Sequence, residues 1–131
     1  MKFYRLLPLS LWLLAIGPLM MADADEKPDR EGIQFFEAKI RPVLVRHCYE
    51  CHSQVADEVQ GNFRVDTREA FRQGGDNGTA IVPGKPDEGF LMPVLRYEED
   101  DYQMPPSGKL PAEVIADFRR WIQMGAPDPR D

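Results

Sequence analysis

The chain reads as an all-α domain, and three observations set that class. Apolar residues recur at three- and four-residue steps in two stretches, Ile33-Phe36-Ile40-Leu44 and Val114-Ile115-Phe118-Trp121-Ile122, the period of a helix with one buried face. Strand-like alternation is scarce. Twelve prolines and ten glycines in 131 residues leave long irregular stretches between the helices. Together these predict about four helical pieces joined by long loops.

The elements follow in order. Lys2 and Arg5 make a basic start, Leu6 to Met21 is apolar, and Ala22-Asp23-Ala24 is a small-x-small cleavage pattern, so residues 1–24 read as a signal peptide. Pro8, Gly17 and Pro18 interrupt the apolar run, which is shorter than the ~20 residues a bilayer span needs; cleavage is expected, with no stable membrane insertion afterwards. Removing 24 of the 131 residues leaves 107, and because the segment carries one net positive charge the formal charge moves from −6 to −7. An acidic domain lacks the phosphate-binding footprint of a nucleic-acid partner, and none is expected.

Residues 25–32 are polar and form an expected flexible leader, 33–127 the domain, and 128–131 a C-terminal tail. The first helix starts at Ile33, and Pro42 predicts a break or a second helix beginning there. Residues 53–65 read as a loop. Asp66-Thr67-Arg68-Glu69 is an acidic version of the capping box, opening a short helix that stops at Gly74-Gly75. The run GGDNGTAIVPG over 74–84 is irregular, and Lys85 followed by Pro86 lacks the G-K-[ST] ending of a phosphate loop. Pro86 predicts the first turn of a helix burying Phe90, Leu91, Val94 and Leu95, with Pro93 an interruption. Residues 98–110 are irregular. The final helix carries the Val114–Ile122 stripe, with Gly125 as its stop.

A 107-residue domain buries only about two-thirds of its unfolded surface, so its core is modest. Cys48 and Cys51, the only cysteines, are three apart. A bridge between them would close almost no loop and stabilise little, so the pair is there for chemistry. Cys48-Tyr49-Glu50-Cys51-His52 is the C-x-x-C-H pattern of c-type haem attachment. On a helical turn two thiols three apart share a face and reach the two vinyl groups of one haem edge; the adjacent histidine then offers a nitrogen to iron. Three alternatives stand beside it, of which a simple structural disulfide would not require the histidine. A thiol redox pair usually follows a βαβ pattern, whereas the preceding segment here is helical. A structural zinc site usually needs four ligands, and Cys48, Cys51 and His52 supply three.

With His52 on one axial position, a second ligand is sought among Met92, Met104, Met124 and His47. Met92 sits in an apolar helical run and reads as core filling. Met124 lies beside the last helix stop, and His47 is tied too close to the attachment turn. Met104 stands in a loop stiffened by Pro105 and Pro106 and is the expected ligand. His/Met ligation fills the iron's coordination and favours electron transfer over oxygen activation.

The segments FFEAKIRPVLVRHCYECH, GNFRVDTREAF, GGDNGTAIVPGKPDEGFLMPVLRY, MPPSGKL and FRRWIQMGAP resemble the planctomycete-type cytochrome c domain over about residues 33–127. The resemblance implies a class I cytochrome c-like fold with first and last helices crossing beside one covalent haem c. It assigns Cys48 and Cys51 to thioether links, His52 to proximal and Met104 to distal ligation. It also implies a backbone carbonyl near Pro83 accepting the other His52 ring N–H, a bond that orients the imidazole. In this family the cytochrome is commonly the N-terminal part of a larger chain.

The expected function is that of an exported, periplasmic or equivalently extracytoplasmic, monohaem electron carrier that docks transiently on redox partner proteins. Two other classes compete: a haem-based sensor in which Met104 is displaced, and an electron-input domain serving a separate larger periplasmic enzyme. An enzyme in its own right is not expected, because no distal acid–base histidine is placed for it. The acidic run Glu98-Glu99-Asp100-Asp101 reads as a solvated loop, with steering of a basic partner the alternative.

Overall fold

A computed structural model describes residues 29–131. The expected signal peptide over 1–24, and residues 25–28 of the leader, lie outside the described residues.

The Asp29 carboxylate accepts the Gly32 N–H at 3.0 Å, capping a helix that begins ahead of Ile33. Helix α1 (Arg30–Phe35) passes through a π-helical turn (Phe36–Ile40) into α2 (Arg41–His47). Pro42 therefore does not break the chain's helical course. Proline lacks an N–H and crowds the carbonyl four residues back. The π turn just before it widens the helix, with the Arg41 N–H reaching the Phe36 carbonyl five residues back, and takes up that misfit. Phe36, Ile40 and Leu44 are buried on one face, and Ile33 is half-buried above them.

Helix α3 (Arg68–Gln73) is capped by Thr67, whose hydroxyl accepts the Ala70 N–H at 3.3 Å. Asp66 is used otherwise: it accepts the Gln54 N–H at 2.7 Å and pairs with Arg64 at 3.0 Å, closing the loop that follows His52. Gly74, at φ +87°, ends α3. Helix α4 (Leu91–Arg96) starts later than Pro86 suggests. Pro93 falls within its first turn, where a missing N–H costs nothing, so it interrupts nothing. Leu91, Met92, Val94 and Leu95 are buried and Phe90 half-buried. Tyr97, at φ +60°, ends α4 in the left-handed conformation.

Helix α5 (Ala112–Gln123) buries Ile115, Phe118, Trp121 and Ile122, and Gly125 at φ +95° turns the chain out of it. Trp121 joins the elements, with ring centroids 5.6 Å from Phe36, 5.5 Å from Phe71 and 6.4 Å from Phe118. The first helical stretch, α3 and α5 thus share one aromatic core. Asp87, ahead of α4, accepts two bonds from Arg119 of α5 at 2.6 and 2.8 Å. The all-α class holds: among the described residues no strand forms, and the one β-bridge is the isolated Gly75–Gly78 pair. No helix among them is long and apolar enough to cross a membrane.

Candidate functional site

Helix α2 runs directly into the cysteine pair. Cys48 and Tyr49 donate their N–H groups to the Leu44 carbonyl at 2.9 and 3.0 Å, and Cys51 and His52 donate theirs to the Cys48 carbonyl at 3.2 and 2.9 Å. This added turn sets Cys48, Cys51 and His52 along one cavity of about 360 Å³. Its walls are mostly apolar: Leu44, Phe63, Phe71, Leu91, Val94 and Phe118 contribute from α2, the loop before α3, α3, α4 and α5.

Met104 lines the same cavity, the only methionine among the described residues that does. Met92 is fully buried in the core instead, and Met124 is half-buried past the end of α5. The Met104 N–H donates to the Val94 carbonyl at 3.2 Å, and the Tyr97 hydroxyl donates to the carbonyl of Pro105. The end of α4 therefore fixes the loop on both sides of the thioether-bearing residue.

His52 Nδ1 lies 3.0 Å from the Phe63 carbonyl. A carbonyl only accepts, so Nδ1 carries the hydrogen, and in the neutral ring that leaves the Nε2 lone pair for a metal. This corrects the expectation at Pro83. Pro83 is exposed and outside the cavity, and its turn serves α5: the Gly84 N–H donates to the Ile122 carbonyl at 2.7 Å. Phe63 is set in place by the neighbouring loop. The Asp76 N–H donates to the Gly61 carbonyl at 2.9 Å, and the Asn62 amide to the Asp76 carboxylate at 2.7 Å. Gly75 is required there, because a Cβ would stand 2.2 Å from the Gly61 carbonyl oxygen.

Both cysteines are free thiols, Cys48 half-buried and Cys51 exposed. Burial, and then the neighbouring Cys51, push the Cys48 thiol up to about 12. A redox C-x-x-C pair works through a lowered thiol pKa, and the burial around Cys48 acts in the opposite direction. Zinc fares no better: among the described residues no three His, Cys, Asp or Glu side chains converge to hold a metal ion. His47 and Tyr102 also reach the cavity, both exposed. Tyr102 packs edge-on against Phe90 with centroids 5.6 Å apart. Sequence reasoning set His47 aside and missed Phe63 and Tyr102. The pairing of loop 60–62 with 75–78, which places Phe63, leaves only glycines as its signal.

Among known families, the model of planctomycete cytochrome C matches residues 48–108, from the first cysteine past Met104 and its two prolines. Comparison with curated proteins and with solved structures found no match. A cytochrome c domain has a haem-binding, electron-transfer role and implies haem c as its prosthetic group. The residues present fit that group. The chain supplies an apolar cavity, two free thiols, an imidazole whose Nδ1–H is already committed to a carbonyl, and a thioether.

Proposed function

We propose that the chain is an exported monohaem c-type cytochrome that passes single electrons between partner proteins. Cys48 and Cys51 would hold the haem through thioether links, His52 Nε2 and the Met104 sulfur would bind its iron, and the Phe63 carbonyl keeps the imidazole in the tautomer that leaves Nε2 free to do so. The bound iron supplies one-electron chemistry between Fe(III) and Fe(II). The protein's part is to bury the group among apolar side chains, hold both ligands and keep water out.

The observation that carries this reading is the convergence of Cys48, Cys51, His52 and Met104 on a single apolar cavity. The restraint on Met104 from Val94 and Tyr97 favours a fixed ligand over one that yields to a small gas, and so a carrier over a sensor. Redox partners dock transiently; a separate larger enzyme receiving electrons is one such partner.

The test is expression with export and c-type maturation, followed by intact mass and a pyridine haemochrome spectrum. The expected mass is the chain from Asp25 plus one haem, with a c-type spectrum. The oxidised protein should be low-spin with a Met–Fe(III) charge-transfer band that Met104→Ala abolishes. A chain that leaves working maturation without haem would sink the proposal. Ready carbon monoxide binding by the reduced wild type would replace the carrier with a sensor.

A further inference from the structure

The residues after α5 fold back over the attachment turn. The Trp121 indole N–H donates to the Pro127 carbonyl at 2.8 Å, and Arg72 donates to the Ala126 carbonyl at 2.8 Å. Pro127 packs on Gly32, where a Cβ would stand 2.3 Å from its ring. This brings Asp128 and Arg130 inside, with side chains only 2 % and 9 % exposed. Arg130 grips Asp128 with two bonds, Nε to Oδ1 at 2.9 Å and Nη2 to Oδ2 at 2.6 Å. Its remaining nitrogen, Nη1, donates to the Tyr49 hydroxyl at 2.7 Å and the Val65 carbonyl at 2.8 Å. The guanidinium lies over the Phe36 ring at 4.7 Å.

Both targets bear on His52. Tyr49 stands between the two cysteines. Val65 donates its N–H to the His52 carbonyl at 2.8 Å, and two residues before it lies Phe63, whose carbonyl faces His52 Nδ1. Segment 63–65 is therefore held between His52 and the guanidinium of a residue far along the chain. We infer that Arg130, locked by Asp128, is a positioning residue for His52, pinning both the attachment turn and the carbonyl that sets its tautomer. Burying a charge pair against an aromatic ring gains little stability by itself, because desolvation offsets the attraction. A planar fork able to meet a carboxylate, a hydroxyl and a carbonyl at once fixes geometry, which a lysine cannot reproduce.

The inference rests on His52 serving as the ligand, but its test separates the two. Hydrogen exchange by NMR on the reduced holoprotein reads the Val65 amide, the His52 Nδ1–H and the buried amides of α5. In Arg130→Gln the first two should exchange about tenfold faster, the scale of a lost charge-assisted hydrogen bond, with α5 unchanged. Arg130→Lys should not restore them. Tyr49→Phe, which removes only a hydroxyl, should accelerate them less and serves should the glutamine variant fail to fold. Unchanged exchange at Val65 and His52 would overturn the positioning role, as would equal acceleration throughout α5, the mark of a merely global effect. Should the functional reading fail and the chain fold without haem, the Val65 amide still reports on the latch, so that failure does not remove the test.

Discussion

Tyr97 ends α4 with its backbone at φ +60° and its hydroxyl on the Pro105 carbonyl, one residue beyond Met104. Left-handed backbone is unusual for a bulky residue, so the conformation is sustained by what the side chain then reaches. Tyr97→Phe removes the donor while keeping the ring. It should lower stability by about 1 kcal/mol, the typical worth of one hydrogen bond. In the holoprotein the Met–Fe(III) band should weaken without vanishing, whereas Met104→Ala abolishes it. Urea titration and the visible spectrum check the two halves. Asp66 makes a different residue-scale argument. Its partial burial opposes ionisation, but the bonds from Arg64 and the Gln54 N–H outweigh that and hold its carboxyl below the usual carboxylate range. A depressed carboxyl stabilises the fold above its unfolded pKa, and that contribution is lost as pH falls through the folded value. The urea midpoint should therefore drop on acidification below about pH 4. Asp66→Asn should start lower at neutral pH and fall less steeply; equal slopes would show that Asp66 does not link the loop to pH.

At the scale of elements, periodicity carries the long helices and chemistry decides their ends. The α5 stripe and the Gly125 stop are legible because one face of a single helix is buried against one core. The ends elsewhere depend on partners distant in sequence. Thr67 caps α3 because Asp66 is taken by Gln54 and Arg64, and no local pattern distinguishes the two oxygens. Pro42 reads as a break or a helix start and Pro93 as an interruption; Pro42 does open α2, beyond a π turn, and Pro93 sits in the first turn of α4, both places where a missing donor is tolerated. The site divides the same way. The motif announces Cys48, Cys51 and His52, and the prolines announce the Met104 loop. The partner of His52 is a backbone carbonyl placed by a loop–loop pairing, which no side-chain pattern encodes. Gly75 is the tight point of that pairing. Gly75→Ala must push the 61–63 segment aside and should cost about 1–3 kcal/mol, as overpacking does. It should also speed exchange of the His52 Nδ1–H. Wild-type stability in this variant would mean the two loops separate without consequence.

The whole molecule is organised around its cavity as much as around its aromatic core. Leu44, Phe71, Leu91 and Phe118 each belong to the buried cluster and to the cavity wall, so the two share a boundary contributed by α2, α3, α4 and α5. The helices touch one another along limited stretches: the π turn against α5, and α4 against α5. Much of the packing that would make a small domain cooperative is therefore directed at what the cavity holds. If that is covalently attached haem, the cysteines are also stability determinants, acting through the apolar surface that their links retain. Cys48→Ala/Cys51→Ala should then lose its near-ultraviolet circular dichroism and bind an apolar dye, while part of its helical far-ultraviolet signal persists, the pattern of collapsed chain without fixed packing. Phe36, Phe71 and Trp121 would still cluster, which is why some helix survives. Addition of free haem should restore packing only partly, since His52 and Met104 could hold it without the links. A doubly substituted chain that keeps its native near-ultraviolet signal and unfolds in one sharp urea transition would show instead that the aromatic core around Trp121 sustains the fold unaided.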